Sequence, residues 1–195
     1  MKDHNAVLGV ESLSDVQIEA GKNCIVRVYD FPDALIEEIA AGTLMSLDPD
    51  GELLEFDEAI TGTNLGTGDG AEKDFKGVLG SVMPGTLVIT DSTETFTDNG
   101  GGVLVSSGDG SGSVDYLTGA WAVSFAAAPA ADGAITAAYK PRPCGVLKHT
   151  AEEDETEGAV IVFGEVVFGH LSVGGMAPSK AELALLESIN IYPVG

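Results

Sequence analysis

The middle third of the chain alternates large apolar residues with small or polar ones. Trp121, Val123 and Phe125 alternate in this way along one run, and the odd positions of 135–139 repeat the pattern. Because successive side chains of a strand point to opposite faces, each set is predicted to share the buried face of one strand. Further β-rich runs lie at 87–89, at Phe96 and at 103–105.

Turn-forming residues separate these runs at short intervals. Clusters of Asp, Asn, Ser and Gly occupy 98–102 and 107–110. Such residues favour turns because they tolerate a positive φ or hydrogen-bond their own backbone. No helical periodicity is visible between residues 61 and 140, and short strands at regular spacing predict a small antiparallel β-sandwich there.

Glycine marks the limits of this region. Of the 26 glycines in the chain, 15 lie in residues 61–140. The region opens with a linker-like segment at 61–70 and closes at 139–143, where two prolines stiffen the chain. We therefore interpret 61–140 as a module inserted into a host domain made from residues 1–60 and 141–195, since exposed turns tolerate insertions well.

The first half of the host predicts a strand, a short helix and a hairpin. β-forming residues dominate 25–29, which indicates a strand. Pro32 then opens a stretch of helical periodicity that stops at Gly42, a pattern typical of a short helix with a glycine C-cap. Apolar runs at 43–47 and 52–56 flank an Asp-Pro-Asp-Gly turn signature, so a hairpin is predicted.

The second half of the host predicts two buried strands, a capped helix and a closing strand. The buried strands are expected at 160–163 and 166–168, with a break between them. Ser179 and Glu182 form an S-x-x-E capping box ahead of a helical apolar stripe, and a short terminal strand follows at 191–192. The predicted fold class is α+β, mostly β: a small domain that carries a nested antiparallel β-sandwich.

Charge and hydropathy exclude several classes of partner. The chain has 31 acidic and 9 basic residues, a formal charge of −22, and a surface this negative repels phosphate backbones. Nucleic acid is therefore not an expected partner. No apolar run approaches the roughly 20 residues of a membrane-spanning helix, and the first residues lack the build of a signal peptide, so neither a membrane nor export is expected.

Few residues are arranged for chemistry. The sequence contains no phosphate loop, nucleophile elbow or ligand-spaced His/Cys motif, so we predict no enzyme activity, cofactor or metal site. Cys24 and Cys144 are expected to be reduced, partly buried thiols, with a disulfide or a metal pair as the alternatives. His170, beside an apolar strand, is expected to be a hydrogen-bonded structural residue.

Two acidic segments allow more than one interpretation. The turn at 48–52 is either a solvated hairpin turn or a weak cation site. The run at 152–157 is interpreted as a flexible, solvated loop, with contact to a basic patch on a partner as the alternative.

Three consecutive segments at the end of the chain carry a family resemblance. They are a Gly-Glu-Val strand at 164–171, an alanine/leucine helix at 181–189 and a closing strand at 190–192. In this order they resemble the C-terminal end of the lambda-type head decoration proteins of tailed bacteriophages. Upstream, 42–45 and 144–147 are similar to two strands that lie closer together in that family, and the glycine-rich region separates them here.

The glycine-rich region has a resemblance of its own. Its turn motifs, such as Pro84-Gly85-Thr86-Leu87 and the segment 114–119 followed by a strand, are similar to β-modules that recur in phage virion proteins.

The resemblance implies a structural role on a viral capsid. Decoration proteins of this kind bind as homotrimers to the major capsid protein on the outer surface of the expanded capsid, which they stabilise without catalysis. It also implies an N-terminal arm that pairs with the capsid by strand addition, and the alternatives for this segment are a disordered terminus or an ordinary core strand. The expected arm residues are Val7, Leu8, Val10, Leu13 and Val16.

Two other functions stay open from the sequence. One is a phage tail or baseplate adhesion module that binds host-cell glycans, and the other is an extracellular bacterial surface protein. A glycan site needs exposed aromatic rings, whereas the alternation around Trp121 predicts that this ring points inward. The missing signal sequence weakens the interpretation as an extracellular bacterial surface protein.

Overall fold

The computed structural model describes residues 17–21 and 23–195. Of these residues, 46% lie in strands or bridges and 7% in helices, so the predicted α+β, mostly β class is confirmed. The strands are β1 (Ile25–Asp30), β2 (Leu44–Leu47), β3 (Leu53–Glu55), β4 (Ile60–Thr67), β5 (Asp74–Val78), β6 (Val88–Thr90), β7 (Thr95–Asp98), β8 (Val103–Ser106), β9 (Ser111–Val114), β10 (Ala120–Ser124), β11 (Ala134–Tyr139), β12 (Pro143–Leu147), β13 (Glu157–Val167) and β14 (Ile191–Val194). The helices are a 3-10 turn at Phe168–His170 and α1 (Lys180–Ser188).

The strands on both sides of the glycine-rich region form one sheet, which we call sheet I. Its order is β1-β13-β12-β2-β3, and β14 joins it beside β13. The pairings are antiparallel except that of β13 with β14, which is parallel. A parallel pair requires a crossover connection, and α1 lies in the connection between these two strands.

Sheet I packs a core against each of its faces. On β12, Val146 faces one core, to which α1 contributes Leu186. The next residue, Leu147, points to a second core that contains Phe31 from the segment after β1. Burial on both faces explains why β12 and β13 are nearly continuous apolar runs in the sequence.

The helix predicted at 32–42 is wrong. This segment is irregular, and its backbone is bonded to the loop that precedes β13: Leu35 N donates to Glu155 O over 2.9 Å, and Ile39 exchanges two such bonds with Ala151. Backbone groups used in this way cannot also close helical turns. The helix-like spacing of the apolar residues instead lets Leu35 and Ile39 pack on the second core.

The prediction of two strands at 160–163 and 166–168 with a break between them is also wrong. β13 is one strand of 11 residues that includes Gly164. This glycine has a φ of +123°, and a Cβ built on it would lie 2.8 Å from the sulfur of Cys24. The absence of a side chain therefore lets β13 pass close to Cys24 and continue as one strand. The residue that follows β13, Phe168, lies in the 3-10 turn and not in a strand.

The other host elements follow the sequence pattern. The predicted hairpin is confirmed as β2 and β3, and the closing strand as β14. The capping box is also confirmed, because Ser179 Oγ accepts from Glu182 N at 3.3 Å while the Glu182 carboxylate accepts from Ser179 N.

The strands of the glycine-rich region form a second sheet, sheet II, in the order β4-β11-β6-β7-β8-β9-β10-β5. It is antiparallel throughout and curls into a nearly closed barrel around one core. Trp121, Val123 and Phe125 are 4%, 3% and 2% exposed, and the odd positions of 135–139 are equally buried. The predicted inward faces are therefore confirmed.

The linker-like interpretation of 61–70 is wrong. Most of this segment belongs to β4, which pairs with β11 along its length. Gly62 and Gly66 lie within this strand, where they adopt φ values of +70° and +152°. Their presence therefore marks irregular positions of a strand and not a linker. The register of the β4–β11 pairing shifts near Gly66, as expected where a glycine produces a bulge.

The chain enters and leaves sheet II at adjacent positions. Ile60 at the start of β4 is paired with Tyr139 at the end of β11. Lys140 Nζ lies 2.8 Å from the Asp57 carboxylate, and Met83, in the connection between β5 and β6, packs against the first core of sheet I. The two crossing segments are thus neighbours and hold the sheets together by a few contacts.

Candidate docking surface

The predicted arm of Val7, Leu8, Val10, Leu13 and Val16 lies outside the described residues. The described chain begins at Gln17, and residues 18–20 run antiparallel to the end of β13. Val167 N donates to Ile18 O over 2.8 Å, and the Ile18 side chain is only 1% exposed. We call residues 18–20 the strap, because they fasten the start of the described chain to sheet I.

β1, which follows the strap, is an outermost strand of sheet I. It pairs with β13 on one side, and within the described part of the chain no strand pairs with its other side. Ile25 and Val28 on this strand are 52% and 61% exposed. An unpaired edge with exposed apolar side chains is a template for contact with another chain.

Three more exposed apolar side chains lie on β13 and β14. Phe163 is the direct cross-strand partner of Ile25, and it lines one shallow pocket of about 250 Å³ together with Tyr192. Val194 lies two residues further along β14, on the same side as Tyr192, and all three are more than one third exposed. Val28 lies three positions after Ile25 and so points to the opposite face of β1. We call Ile25, Phe163, Tyr192 and Val194 the β1–β14 patch.

The four side chains of the β1–β14 patch carry no charge, whereas the chain as a whole carries −22. One carboxylate is close: Glu165, the strand partner of Tyr192, lines the same pocket. On β1 itself, Arg27 and Asp30 balance each other. A strongly negative protein can bring another negative surface close only where its own local charge is small. The patch therefore offers apolar area for contact with a second copy, and that contact must also accommodate Glu165.

Sheet II also exposes apolar side chains, but they are arranged differently. Val103 and Val105 on β8 are 51% and 54% exposed, and their cross-strand partners on β9 are Ser113 and Ser111. These two valines share one face of β8, and a small apolar area of this kind among polar residues is normal on a protein surface. They provide a matched control for the β1–β14 patch.

Buried carboxylates of sheet II form a feature that the sequence analysis missed. Glu94 is 7% exposed. Its carboxylate accepts from Gly110 N at 2.9 Å, from Ala126 N at 2.8 Å and from the Ser106 hydroxyl. Every one of these donors belongs to the protein, so Glu94 is held as a structural acceptor. The only sequence signal was an acidic residue inside a β-rich run.

Asp98 forms a similar buried centre. It is 6% exposed and accepts from the Tyr116 hydroxyl at 2.7 Å and from Gly100 N at 2.9 Å. Gly102 N in turn donates to the Tyr116 oxygen over 2.6 Å. Burial, followed by the hydrogen bond to Asp98, raises the pKa of Tyr116. The network joins two turns of sheet II and has a structural role.

The residues considered for chemistry are dispersed. Within residues 17–21 and 23–195, no group of three or more His, Cys, Asp or Glu side chains is arranged to hold a metal ion. Cys24 and Cys144 are partly buried free thiols, and burial raises the pKa of Cys144 to about 12. The Asp48 carboxylate accepts from Asp50 N and Glu52 N, both at 2.9 Å, which closes the predicted hairpin turn.

The acidic run at 152–157 is exposed along its whole length. Its backbone is nevertheless anchored, since Phe31 N donates to Thr156 O over 2.8 Å and Asp154 N to Leu35 O over 2.8 Å. The loop is therefore solvated as predicted, and it is fixed to the segment that follows β1.

Two further findings concern membrane helices and related proteins. No helix in the described ranges combines the length and the apolar character that a membrane span requires. Comparisons with protein-family models, with curated proteins and with solved structures found no match to this chain.

Proposed function

We propose that the protein is a capsid decoration protein of a tailed phage. In this proposal it binds as a homotrimer to the major capsid protein on the outer surface of the expanded capsid and stabilises the shell without catalysis. The proposal is supported by the motif order at the end of the chain, where a Gly-Glu-Val strand, a capped helix and a closing strand follow one another.

The observation that carries a docking role is the β1–β14 patch. It places exposed apolar side chains on the unpaired edge of sheet I. The strap, which leads to the predicted arm, lies against the same strand β13 that carries Phe163. An apolar face next to a strand edge suits contact with a neighbouring copy, while the arm residues reach the capsid protein by strand addition.

The strand order of sheet I supports the proposal that sheet II projects away from the shell. The patch lies at the β1 side of the order, whereas the chain leaves for sheet II after β3, at the opposite end, and returns from it into β12, in the middle of the order. Neither connection is at β1, so the module leaves the β1 edge free for docking. In this arrangement sheet II adds an acidic, outward-facing surface to the particle.

The oligomeric state tests the proposal first. Sedimentation equilibrium of the full chain should give three times the chain mass of 19.9 kDa. The double variant Phe163→Ser/Tyr192→Ser should shift the protein to monomers, because each serine removes apolar area that a trimer would bury. The control variant Val103→Ser/Val105→Ser, which changes two comparably exposed apolar residues of sheet II, should remain trimeric.

Capsid binding tests the role itself. Expanded, undecorated capsids of tailed phages are incubated with the protein and imaged by electron microscopy, with the patch variant and its control in parallel. Density at local three-fold positions with the wild type and the control, but not with the patch variant, is the expected result. A monomeric wild-type protein that leaves all capsids bare would overturn the proposal.

A further inference from the structure

A groove runs between segment 31–39 and the β3 edge of sheet I. It encloses about 550 Å³, and an adjoining concavity on the far side of Leu54 and Glu58 extends it toward the start of β4. The floor is apolar, since it includes Phe31 and Leu53, which are 5% and 1% exposed. The groove therefore has an apolar bottom that extends directly from the second core of sheet I.

The rim of the groove is acidic. Neither lysine nor arginine is among the residues that line it, and the same holds for the adjoining concavity. Ile36 also lies on the rim, and at 87% exposed it is the most exposed large apolar side chain of the described residues. The acidic side chains on the rim of the main groove are Asp33, Glu37, Glu38, Glu55 and Glu58.

The rim carboxylates crowd one another. Partial burial raises the pKa of Glu55, and the negative charges of Glu58 and Asp57 raise it further. A positive group placed in the groove would reverse this repulsion, because an opposite charge favours the ionised carboxylate. Local charge thus favours a cationic occupant over a neutral or anionic one.

The strand beside the groove is an unpaired edge. β3 lies at the end of the strand order of sheet I opposite to β1, and in the described part of the chain β2 is its one strand neighbour. The backbone groups on its free side are available to an extended segment, which would add to the sheet as a further strand.

We infer that this groove binds an extended segment of a partner protein in which lysines or arginines flank a large apolar side chain. The apolar side chain packs against Ile36 and Leu53, the cationic groups lie between the rim carboxylates, and the backbone pairs with β3. The first 16 residues of this chain do not have that chemistry, because they carry one lysine and three acidic residues. The inference does not depend on the capsid role.

The test uses the full chain and a labelled, end-blocked octapeptide that alternates lysine and valine. Fluorescence anisotropy at about 50 mM salt, where surface charges are weakly screened, should give saturable one-to-one binding. A lysine–glycine octapeptide lacks the apolar side chains and should bind at least about tenfold more weakly. Equal binding of both peptides, or no saturable binding, would overturn the inference.

Paired variants locate the site. Glu37→Gln/Glu58→Gln should weaken binding of the lysine–valine peptide by about fivefold or more, as expected for the loss of two exposed ion pairs. Asp74→Asn/Asp109→Asn removes the same charge from exposed positions of sheet II and should change affinity less than about twofold. Equal losses in the two variants would mean general attraction to an acidic protein and would overturn the assignment to the groove.

Ile36→Ser gives an independent measurement. Ile36 is almost fully exposed, so this change leaves the core intact and should still weaken peptide binding by about threefold or more. An unchanged affinity would contradict the apolar part of the inference. Sedimentation of the same variants separates this result from the capsid proposal, because loss of peptide binding by a protein that is still trimeric bears on the groove alone.

Discussion

Glu94 shows at the residue scale how sheet II is held together. Its carboxylate connects the turn between β8 and β9 to the loop after β10 through Gly110 N and Ala126 N. Both oxygens of the carboxylate accept hydrogen bonds, whereas a neutral amide has one oxygen and an NH₂ group that cannot accept. The residue is therefore placed to stabilise sheet II.

Replacing this carboxylate should destabilise the protein. Glu94→Gln puts an NH₂ group against a backbone N–H, and the expected loss in the free energy of unfolding is about 1–3 kcal/mol. Urea denaturation followed by tryptophan fluorescence measures it, since Trp121 lies in the same core. Glu37→Gln, an exposed change of the same kind, should have an effect within about 0.5 kcal/mol, and equal effects of the two changes would contradict this interpretation.

Glu55 should affect stability in the opposite direction. Partial burial and the acidic neighbours raise its pKa in the folded protein above the ordinary value of 4.5. The folded state then binds a proton more readily than the unfolded state, so ionised Glu55 destabilises the fold at neutral pH and ceases to do so as the pH falls below its unfolded pKa.

The corresponding prediction is a stabilising substitution. Glu55→Gln should raise the free energy of unfolding at pH 7 by about 0.5 kcal/mol, a small value because the side chain is only partly buried and solvent screens its charge. The gain should shrink toward zero at about pH 4, where the wild-type carboxyl is protonated too. Thermal melts at both pH values, with exposed Glu153→Gln as the control, check this, and a gain that grows in acid would disprove it.

At the scale of elements, local patterns predicted the strands and the capped helix well. The alternation at 121–125 and 135–139 was informative because each strand buries one face only. The capping box at Ser179 was informative because both of its hydrogen bonds are local. Such features depend on residues a few positions apart, which the sequence displays directly.

The elements that were predicted wrongly depend on distant partners. Segment 32–42 has helical spacing, but its backbone bonds to a loop more than 100 positions later in the chain. In the sequence alone the glycines of β4 are typical of a linker, but in the structure this segment pairs with β11. Neither partnership has a local signature, so tertiary pairing overrode propensity at both places.

The candidate docking surface was only partly accessible to sequence reasoning. The sequence predicts the strands that carry Phe163 and Tyr192. It predicts a buried strand for Phe163 and a closing strand for Tyr192, and it indicates no exposed face on either. Their exposure follows from the position of β1 and β14 in the strand order, which no local pattern states. The predicted arm at 7–16 lies outside the described residues and stays a prediction.

For the whole molecule, the neighbouring crossing points of sheet II make a deletion experiment decisive. Because Ile60 and Tyr139 are paired, a short Gly/Ser bridge replacing residues 62–139 can join the two host segments without strain. The shortened chain should unfold cooperatively and keep the oligomeric state of the full protein, with some stability lost where Met83 leaves the host core. Circular dichroism and sedimentation measure both properties.

The result that would contradict this prediction is equally clear. An unfolded or aggregated shortened chain would mean that sheet I needs sheet II to fold. A second bridge, two residues longer, serves as the control for strain at the junction. If both bridged chains fail, the idea of a host domain with an inserted module is wrong.

The strap determines how a mechanical load would enter the protein. Residues 18–20 are bonded to β13 through Val167 N to Ile18 O and Ala20 N to Glu165 O, at 2.8 and 2.9 Å, and Glu19 is paired with Lys148 at 3.0 Å. These bonds lie across the direction of the chain. Tension applied before Gln17 and along the strand would therefore shear all of them at once instead of peeling them off singly. Sheet I is thus built to resist a pull from its own N-terminal side.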